Sequence, residues 1–503
     1  MECISLIISI FRHNSNNKQM HYKEKISREQ FMFMSYDAMI APDNAVRLID
    51  LVCKKFFMEQ PFNDKWKGNK NEGRKSYPPD SMLKLLVYGY FNGLASSRKL
   101  ERETYRNIEM IWLMEGLQPD HWTICDFRRE SETIMKDFLK SFRKFLLDKN
   151  FATSDKVVFD GTKVKAYAKR EMLTTESIEE KLENIDQSIS DYLSKLDSND
   201  NHDDELEVAK TEIGELKEKI RKLELSRSKL EQARESIKDS GKKYYAPNDT
   251  EAVLVKGREG KFPGYNVQIG VETKGHFIMT DRVTTEVNDM QQLQECVKSV
   301  AEETGILPAE ILADKGYSNT AQILDIEKDG TAQCYIPLIE TKREKSEKEG
   351  VSFVYDKNSN TYTCGQGKKF LLHARNVKHS GAYYNVYKCH QCEGCQVHDK
   401  CTKSKTGRTL KRNVDQDRID QYKEKIAGDC AKQKIRERKQ VVEHPFGTIK
   451  MLMGKFNLLL KGKIKAQIEF DYYTAAYNLK RLIGCAPIME LMNKMENYRL
   501  ARA

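Results

Sequence analysis

Val157-Val158-Phe159-Asp160-Gly161-Thr162-Lys163-Val164 is a β-branched, apolar run carrying a single acid, and it reads as a strand. The chain downstream supplies neighbours for it. Alternating and β-branched runs predict strands from Ala252 to Val255, from Tyr265 to Glu272 and from Phe277 to Thr284. A helix from Asp289 to about Glu302 follows, then a strand from Glu310 to Ala313 that ends in Asp314-Lys315-Gly316-Tyr317. A helix near Thr320 to Glu327 and a strand around Tyr335 to Pro337 complete the series. Successive strands followed by alternating helix and strand predict a mixed α/β sheet covered by helices.

Between the first strand and the rest the character changes. Ile178, Leu182, Ile185, Ile189, Tyr192 and Leu196 recur in steps of three and four, and Ile213, Leu216, Ile220, Leu223 and Leu230 largely repeat the scheme after a polar gap. Two heptad stretches joined by a turn predict an antiparallel coiled-coil hairpin inserted into the sheet domain. Its dense charge is the solvated face such helices carry, so it receives no catalytic role.

Upstream, Pro79 and Asp80 lead into an apolar face from Met82 to Tyr90 that stops at Asn92-Gly93. Ser96 or Ser97 can cap a second helix reaching Leu113, and a third starts near Thr123 and carries Arg128 and Arg129. Short helices with Gly-containing turns and basic faces fit a helix-turn-helix-like DNA-binding unit as well as a plain bundle.

The chain of 503 residues has room for several domains. At 39% hydrophobic and 32% charged it suits a soluble protein with long exposed helices. Its net charge of +10 understates the basic flanks, because acid is concentrated from Glu176 to Glu235. The apolar run Ile4 to Phe11 lacks a basic leader and a cleavage site, and falls far short of the roughly 20 residues a membrane helix needs. The expected location is the cytosol, with no membrane partner, and Met20 is an alternative start. Seven of the 12 cysteines are scattered singly. The others cluster, and Cys392-x₂-Cys395-x₅-Cys401 with Cys364 upstream has the spacing of a structural zinc site. Cys389 adds a competing Cys-x₂-Cys pair, so spacing leaves the tetrad open. Such a knuckle would order a polar insert that lacks a core of its own.

Phosphodiester cleavage suits two divalent cations about 3.5 to 4 Å apart, held by carboxylates on rigid elements. Asp160 on the first strand, Asp314 just past a later strand and Glu443 on a basic C-terminal helix are placed for that work. Each alone has a plain alternative: an Asp before Gly is usually a turn residue, and a lone helical Glu usually faces solvent. His444 reads as structural.

Three blocks choose among the acids. Val158-Phe159-Asp160-Gly161-Thr162-Lys163, Ala313-Asp314-Lys315-Gly316-Tyr317 and Val442-Glu443-His444-Pro445-Phe446-Gly447-Thr448-Ile449-Lys450 resemble the acidic motifs of the DDE transposases of bacterial insertion sequences. Tyr77-Pro78-Pro79 through Ser96-Ser97-Arg98-Lys99 resembles that family's N-terminal DNA-binding region, and Tyr477-Asn478-Leu479-Lys480-Arg481 its terminal helix. The resemblance runs from about Phe31 to Leu482 and implies a ribonuclease H-like catalytic domain.

It also implies that Asp160, Asp314 and Glu443 hold two Mg²⁺ (or Mn²⁺) ions. Lys450, two turns after Glu443, would touch phosphate, with Arg438 and Lys439 near by, although no Tyr completes the related signature. Arg98, Lys99, Arg128 and Arg129 are the implied DNA contacts of the N-terminal region. The implied reaction is hydrolysis at the ends of the element, marked by terminal inverted repeats, followed by attack of the 3′-hydroxyl on target DNA. A dimer or larger assembly at the nucleoid would hold both ends. A nuclease of the same fold that does not join, and a non-catalytic DNA-binding descendant, are the alternatives.

The expected division is an extension over 1–30, a helical DNA-binding domain over 31–150, and catalytic segments over 151–174 and 240–345 around the hairpin at 175–239. The cysteine-rich insert at 346–415, the C-terminal helical part of the catalytic domain at 416–490 and a tail at 491–503 follow.

Overall fold

A computed structural model describes residues 33–57, 76–168, 172–199, 206–257, 260–340, 352–379, 382–392, 394–404, 407–454 and 457–499. The whole N-terminal extension over 1–30, including the apolar run and Met20, lies outside them. Residues 1–41 form one unit, whose described part carries a single helical turn, Asp37–Met39. Residues 42–503 form a second, compact unit.

In that second unit β1 (Lys156–Lys165) is the organising strand. It pairs antiparallel with β3 (Gly260–Glu272) and parallel with β5 (Glu310–Leu312). β2 (Val253–Gly257) and β4 (Ile278–Thr284) share the far edge of β3, and β6 (Gln333–Tyr335) runs parallel to β5. The mixed sheet therefore has the composition expected, with β3 longer at its start than the sequence implied. Val157, Phe159, Ile311 and Ala313 turn into a core shared with the crossover helix Leu293–Thr304. That helix begins four residues later than expected. Asp289 does not cap it, because its side chain turns inward to the sheet, and the first turn is led by Gln292 instead.

On the N-terminal side lie α1 (Ala45–Phe56), α2 (Pro79–Phe91), α3 (Ser97–Arg106), α4 (Ile108–Leu113), α5 (His121–Glu130) and α6 (Glu132–Asp148). The helix expected to run unbroken to Leu113 is two helices. Asn107 ends the first and caps the second, its side chain accepting from the amides of Glu109 at 3.0 Å and Met110 at 3.4 Å.

α7 (Thr175–Asn199) and α8 (Leu206–Ser240) follow β1 as an antiparallel pair. Ile178 and Leu182 pack with Ala233 and Ile237, and Asp186 pairs with Arg227 at 3.4 Å farther along. Leu173 and Tyr245 exchange two backbone hydrogen bonds at its base, of 2.8 and 2.9 Å, so the pair leaves and re-enters the sheet domain at one place. After β6 and α9 and α10, the helices Leu293–Thr304 and Thr320–Ile326, the chain enters a second sheet.

This sheet has five antiparallel strands in the order β11-β10-β9-β8-β7. They are β7 (Phe353–Asp356), β8 (Thr361–Cys364), β9 (Lys369–His379), β10 (Ala382–Lys388) and β11 (Thr409–Asn413). The expectation of a coreless polar insert is corrected here. Phe353, Tyr362, Phe370, Tyr387, Cys389 and Leu410 alternate inward and form its core, while the intervening polar residues face out.

The C-terminal helices are α11 (Gln416–Ala427), α12 (Asp429–Met453), α13 (Lys463–Ile483) and α14 (Ile488–Glu496). α13 is buried along most of its length. Tyr472 and Tyr473 pack on Tyr90 of α2 at ring separations of 5.1 and 4.7 Å. Asn478 pairs with both backbone groups of Ile278 on the edge strand β4, at 2.9 and 3.0 Å. One helix thus fastens the N-terminal helices to the sheet. Among the described residues no helix is long and apolar enough to cross a membrane.

Candidate active site

The parallel pairing of β1 and β5 sets the site. Val158 lies opposite Leu312, so continuing both strands brings Asp160 and Asp314 to neighbouring positions at the carboxyl end of the sheet. Asp314 caps the turn Lys315–Tyr317, its Oδ1 accepting from the Gly316 amide at 2.7 Å. Asp160 accepts from the Gly161 amide at 2.9 Å. Burial lifts its pKa from an ordinary 3.8 to about 6; the guanidinium of Arg438 opposes the rise, and the carboxylates of Asp314 and Asp289 add to it.

Asp289 is the acid that sequence reasoning missed. Its Oδ1 accepts from Asn266 Nδ2 and Gln268 Nε2 at 2.7 Å each, and from Lys163 Nζ at 3.3 Å. Asn266 and Gln268 are buried on β3. Gln268 also donates to Asn266 at 2.9 Å and accepts from the Tyr317 hydroxyl. Asn266 and Gln268 alternate with Tyr265, Val267, Ile269 and Val271, a pattern that in sequence reads as a strand with one solvated face, so only the folded chain shows this polar row to be buried.

α12 packs over the sheet and delivers Arg438, whose Nη1 lies 3.7 Å from Asp160 Oδ2. It does not deliver Glu443. Val441, Val442, Pro445, Phe446 and Ile449 form the buried stripe of this helix. Arg436, Lys439, Glu443, Gly447 and Lys450, spaced by three or four residues, form the opposite, exposed stripe. His444, next to Glu443 in the chain, lies 3.2 Å from the Tyr477 hydroxyl, which donates to the His276 carbonyl at 2.7 Å. Lys450 stacks its ammonium 5.9 Å from the Phe446 ring.

In the N-terminal helices Arg98, Lys99 and Arg129 are exposed. Arg129 pairs with Asp126 on its own helix. Arg128 departs from expectation. It is 3% exposed, donating to the Tyr90 hydroxyl at 3.1 Å and the Ala95 carbonyl at 2.5 Å. Its head group serves the packing between α2 and α5 and is not presented to a phosphate.

Cys364, Cys392, Cys395 and Cys401 line one cavity of about 40 Å³ at the end of the second sheet. Cys389 is fully buried in that sheet's core and does not line it. Among the described residues no three His, Cys, Asp or Glu side chains stand together closely enough to hold a metal ion as they are arranged. The donor chemistry still sorts cleanly. Carboxylate oxygens gathered around Asp160 suit a hard divalent cation, which would relieve their mutual repulsion, and the thiols suit a soft one.

Two family models match the chain. A transposase domain (DUF772) covers residues 34–130, from the start of the described chain to the end of α5. A transposase DDE domain covers residues 363–483, from β8 to the end of α13, and includes Glu443 and Lys450. Neither curated proteins nor solved structures gave a match.

Proposed function

We propose, on the support of the two transposase-domain matches, that the chain is a DDE-type transposase of the insertion-sequence kind that cuts DNA at the element's terminal inverted repeats and joins the freed 3′-hydroxyl ends to target DNA. The observation that carries the reading is the neighbouring placement of Asp160 and Asp314 at the carboxyl ends of parallel strands, in a sheet ordered β2-β3-β1-β5-β6 with β4 also paired to β3. That order supports a ribonuclease H-like catalytic domain.

In this reading Asp160 and Asp314 provide oxygen ligands for Mg²⁺ or Mn²⁺. Divalent cations, when bound, polarise the phosphoryl oxygens and lower the pKa of an attacking water. Asp160 meets the requirement that a ligand be ionised, since a pKa of about 6 leaves it mostly charged at neutral pH. Arg438, 3.7 Å from Asp160, balances that charge and is proposed to meet a phosphate of the bound DNA. Glu443 belongs to the set by its place in the matched DDE domain, and its support is the match alone. Lys439 and Lys450 on the exposed face of α12, with Arg98, Lys99 and Arg129, are proposed phosphate contacts that position DNA without reading its sequence. Holding two element ends calls for a dimer or larger assembly. The cysteine cavity is proposed as a structural Zn²⁺ site, separate from the acids.

Asp160→Asn tests the reading. The variant is expected to lose Mg²⁺-dependent cleavage of a labelled element end while still shifting that DNA in a gel. Undiminished cutting would remove Asp160 from the reaction. Cutting by the unaltered protein without joining of labelled ends to a target plasmid would leave a nuclease instead of a transposase.

A further inference from the structure

The side chains gathered around Asp160 leave one carboxylate without a role. Asp289 belongs to none of the three acidic motifs, sits in the loop between β4 and α9, and is only about a fifth exposed, with a relative accessibility of 22%. Its two oxygens are treated very differently. Oδ1 accepts from Asn266, Gln268 and Lys163 and is saturated. Oδ2 makes no hydrogen bond among the described residues.

The surroundings show where that second oxygen lies. A Cβ built on Gly316 would stand 2.7 Å from Asp314 Oδ1 and 3.6 Å from Asp289 Oδ2, so these two carboxylates flank the same glycine. A Cβ on Gly161 would stand 2.5 Å from Gln268 Nε2 and 2.7 Å from Asp289 Oδ1. The bare backbone after Asp160 is what admits the clamp. Two buried amides aimed at a single oxygen are a heavy commitment for a loop staple. Buried polar groups are expensive to desolvate, and one such bond would hold a loop. What the double clamp adds is orientation: with Oδ1 fixed, Oδ2 is kept on the Gly316 side, the side that Asp314 also flanks.

We propose that Asp289 is a working carboxylate of this site, its Oδ1 clamped by Asn266 and Gln268 so that its Oδ2 is presented beside Asp314 as an oxygen ligand for a divalent cation. The proposal rests on the reading of Asp160 and Asp314 as a cation-binding pair. It supplies a third carboxylate at the sheet end, while Glu443 occupies the outer stripe of α12. Lys163 has a consistent part: by pairing with the clamped oxygen it offsets charge without covering the free one.

Asp289→Asn separates the two readings of this residue. An amide whose oxygen takes the place of Oδ1 keeps the clamp and puts an NH₂ where the ligand oxygen was. Mn²⁺ binding to the full-length protein is followed by electron paramagnetic resonance of the free ion, with the melting temperature in EDTA recorded beside it. The expected result is a loss of Mn²⁺ affinity of about tenfold or more with the EDTA melting temperature unchanged. Asp289→Ser, which removes both oxygens, is expected to lose affinity at least as far. Wild-type Mn²⁺ affinity in Asp289→Asn would overturn the proposal. So would a fall in the EDTA melting temperature of both variants with affinity intact, which identifies a loop staple. Asp160→Asn runs in parallel. If it loses Mn²⁺ binding and Asp289→Asn does not, only this inference falls; if neither variant changes binding, the cation-site reading falls with it.

Discussion

At the scale of single residues, burial separates side chains that look alike in sequence. Arg128 and Arg129 are adjacent on a basic helix, and nothing in their spacing tells them apart. α5 turns one toward α2 and the other to solvent. Arg128 is held by Tyr90 and the Ala95 carbonyl and sits in the field of Glu469, itself buried and accepting from the amides of Leu459 and Leu460. Removing one partner of a buried charged set leaves the others uncompensated, typically at 3–5 kcal/mol. Arg128→Ala is therefore expected to lower stability by roughly that amount, whereas Arg129→Ala, at an exposed ion pair, should change it by about 1 kcal/mol or less. Urea denaturation of both variants checks this. Equal midpoints would mean that Arg128 carries no structural weight. Asp160 and Asp314 were legible because their motif blocks resemble those of a family. Asp289 was not, because its significance lies in three donors that meet it only in the folded chain.

At the scale of elements, periodicity was informative wherever one face of an element meets solvent. The heptads of α7 and α8 and the apolar face of α2 are of that kind. It misled in the second sheet, where strands of four to eleven residues with one aromatic row look like polar loop until they are paired. Helical phase relative to the sheet is set by which stripe packs, here Val441, Pro445 and Ile449, and this puts Glu443 on the outer stripe. The outer stripe of α12, Arg436, Lys439 and Lys450 around that acid, then has a testable use. If it lies against DNA, each phosphate contact adds about 0.9 to the slope of log K against log salt. Replacing the three cations with Gln is expected to reduce that slope by up to about 2.7 and to weaken binding about equally across sequences. An unchanged slope in a salt titration of the triple variant would take this face off the DNA.

At the scale of the whole second unit, a buried charge cluster joins parts of the chain that lie far apart in sequence. Arg143 of α6 pairs with Asp281 of β4 and, at 2.7 Å, with Glu303 of α9. Asp471 of α13 faces the same Asp281, and Gln467 bridges them, donating to Asp471 at 2.6 Å and to Asp281 at 3.2 Å. Burial raises the Asp471 pKa well above its ordinary 3.8, and the neighbouring Asp281 carboxylate raises it further, against the pull of Arg143. A pKa higher in the folded than in the unfolded chain means that folding retains the proton. The stability it contributes is complete below the unfolded value and is lost as pH rises toward the folded one. The native protein should therefore lose stability from this pair as pH climbs out of the ordinary carboxylate range. Asp471→Asn keeps a donor for Asp281 but has no proton to give up. It is expected to be close to wild type at about pH 5 and more stable than wild type at about pH 9, by an amount on the order of 1 kcal/mol or more. Urea midpoints across that range decide it. If the two curves stay parallel, Asp471 is ionised throughout, and Arg143 rather than a shared proton holds the helix α13 to the sheet.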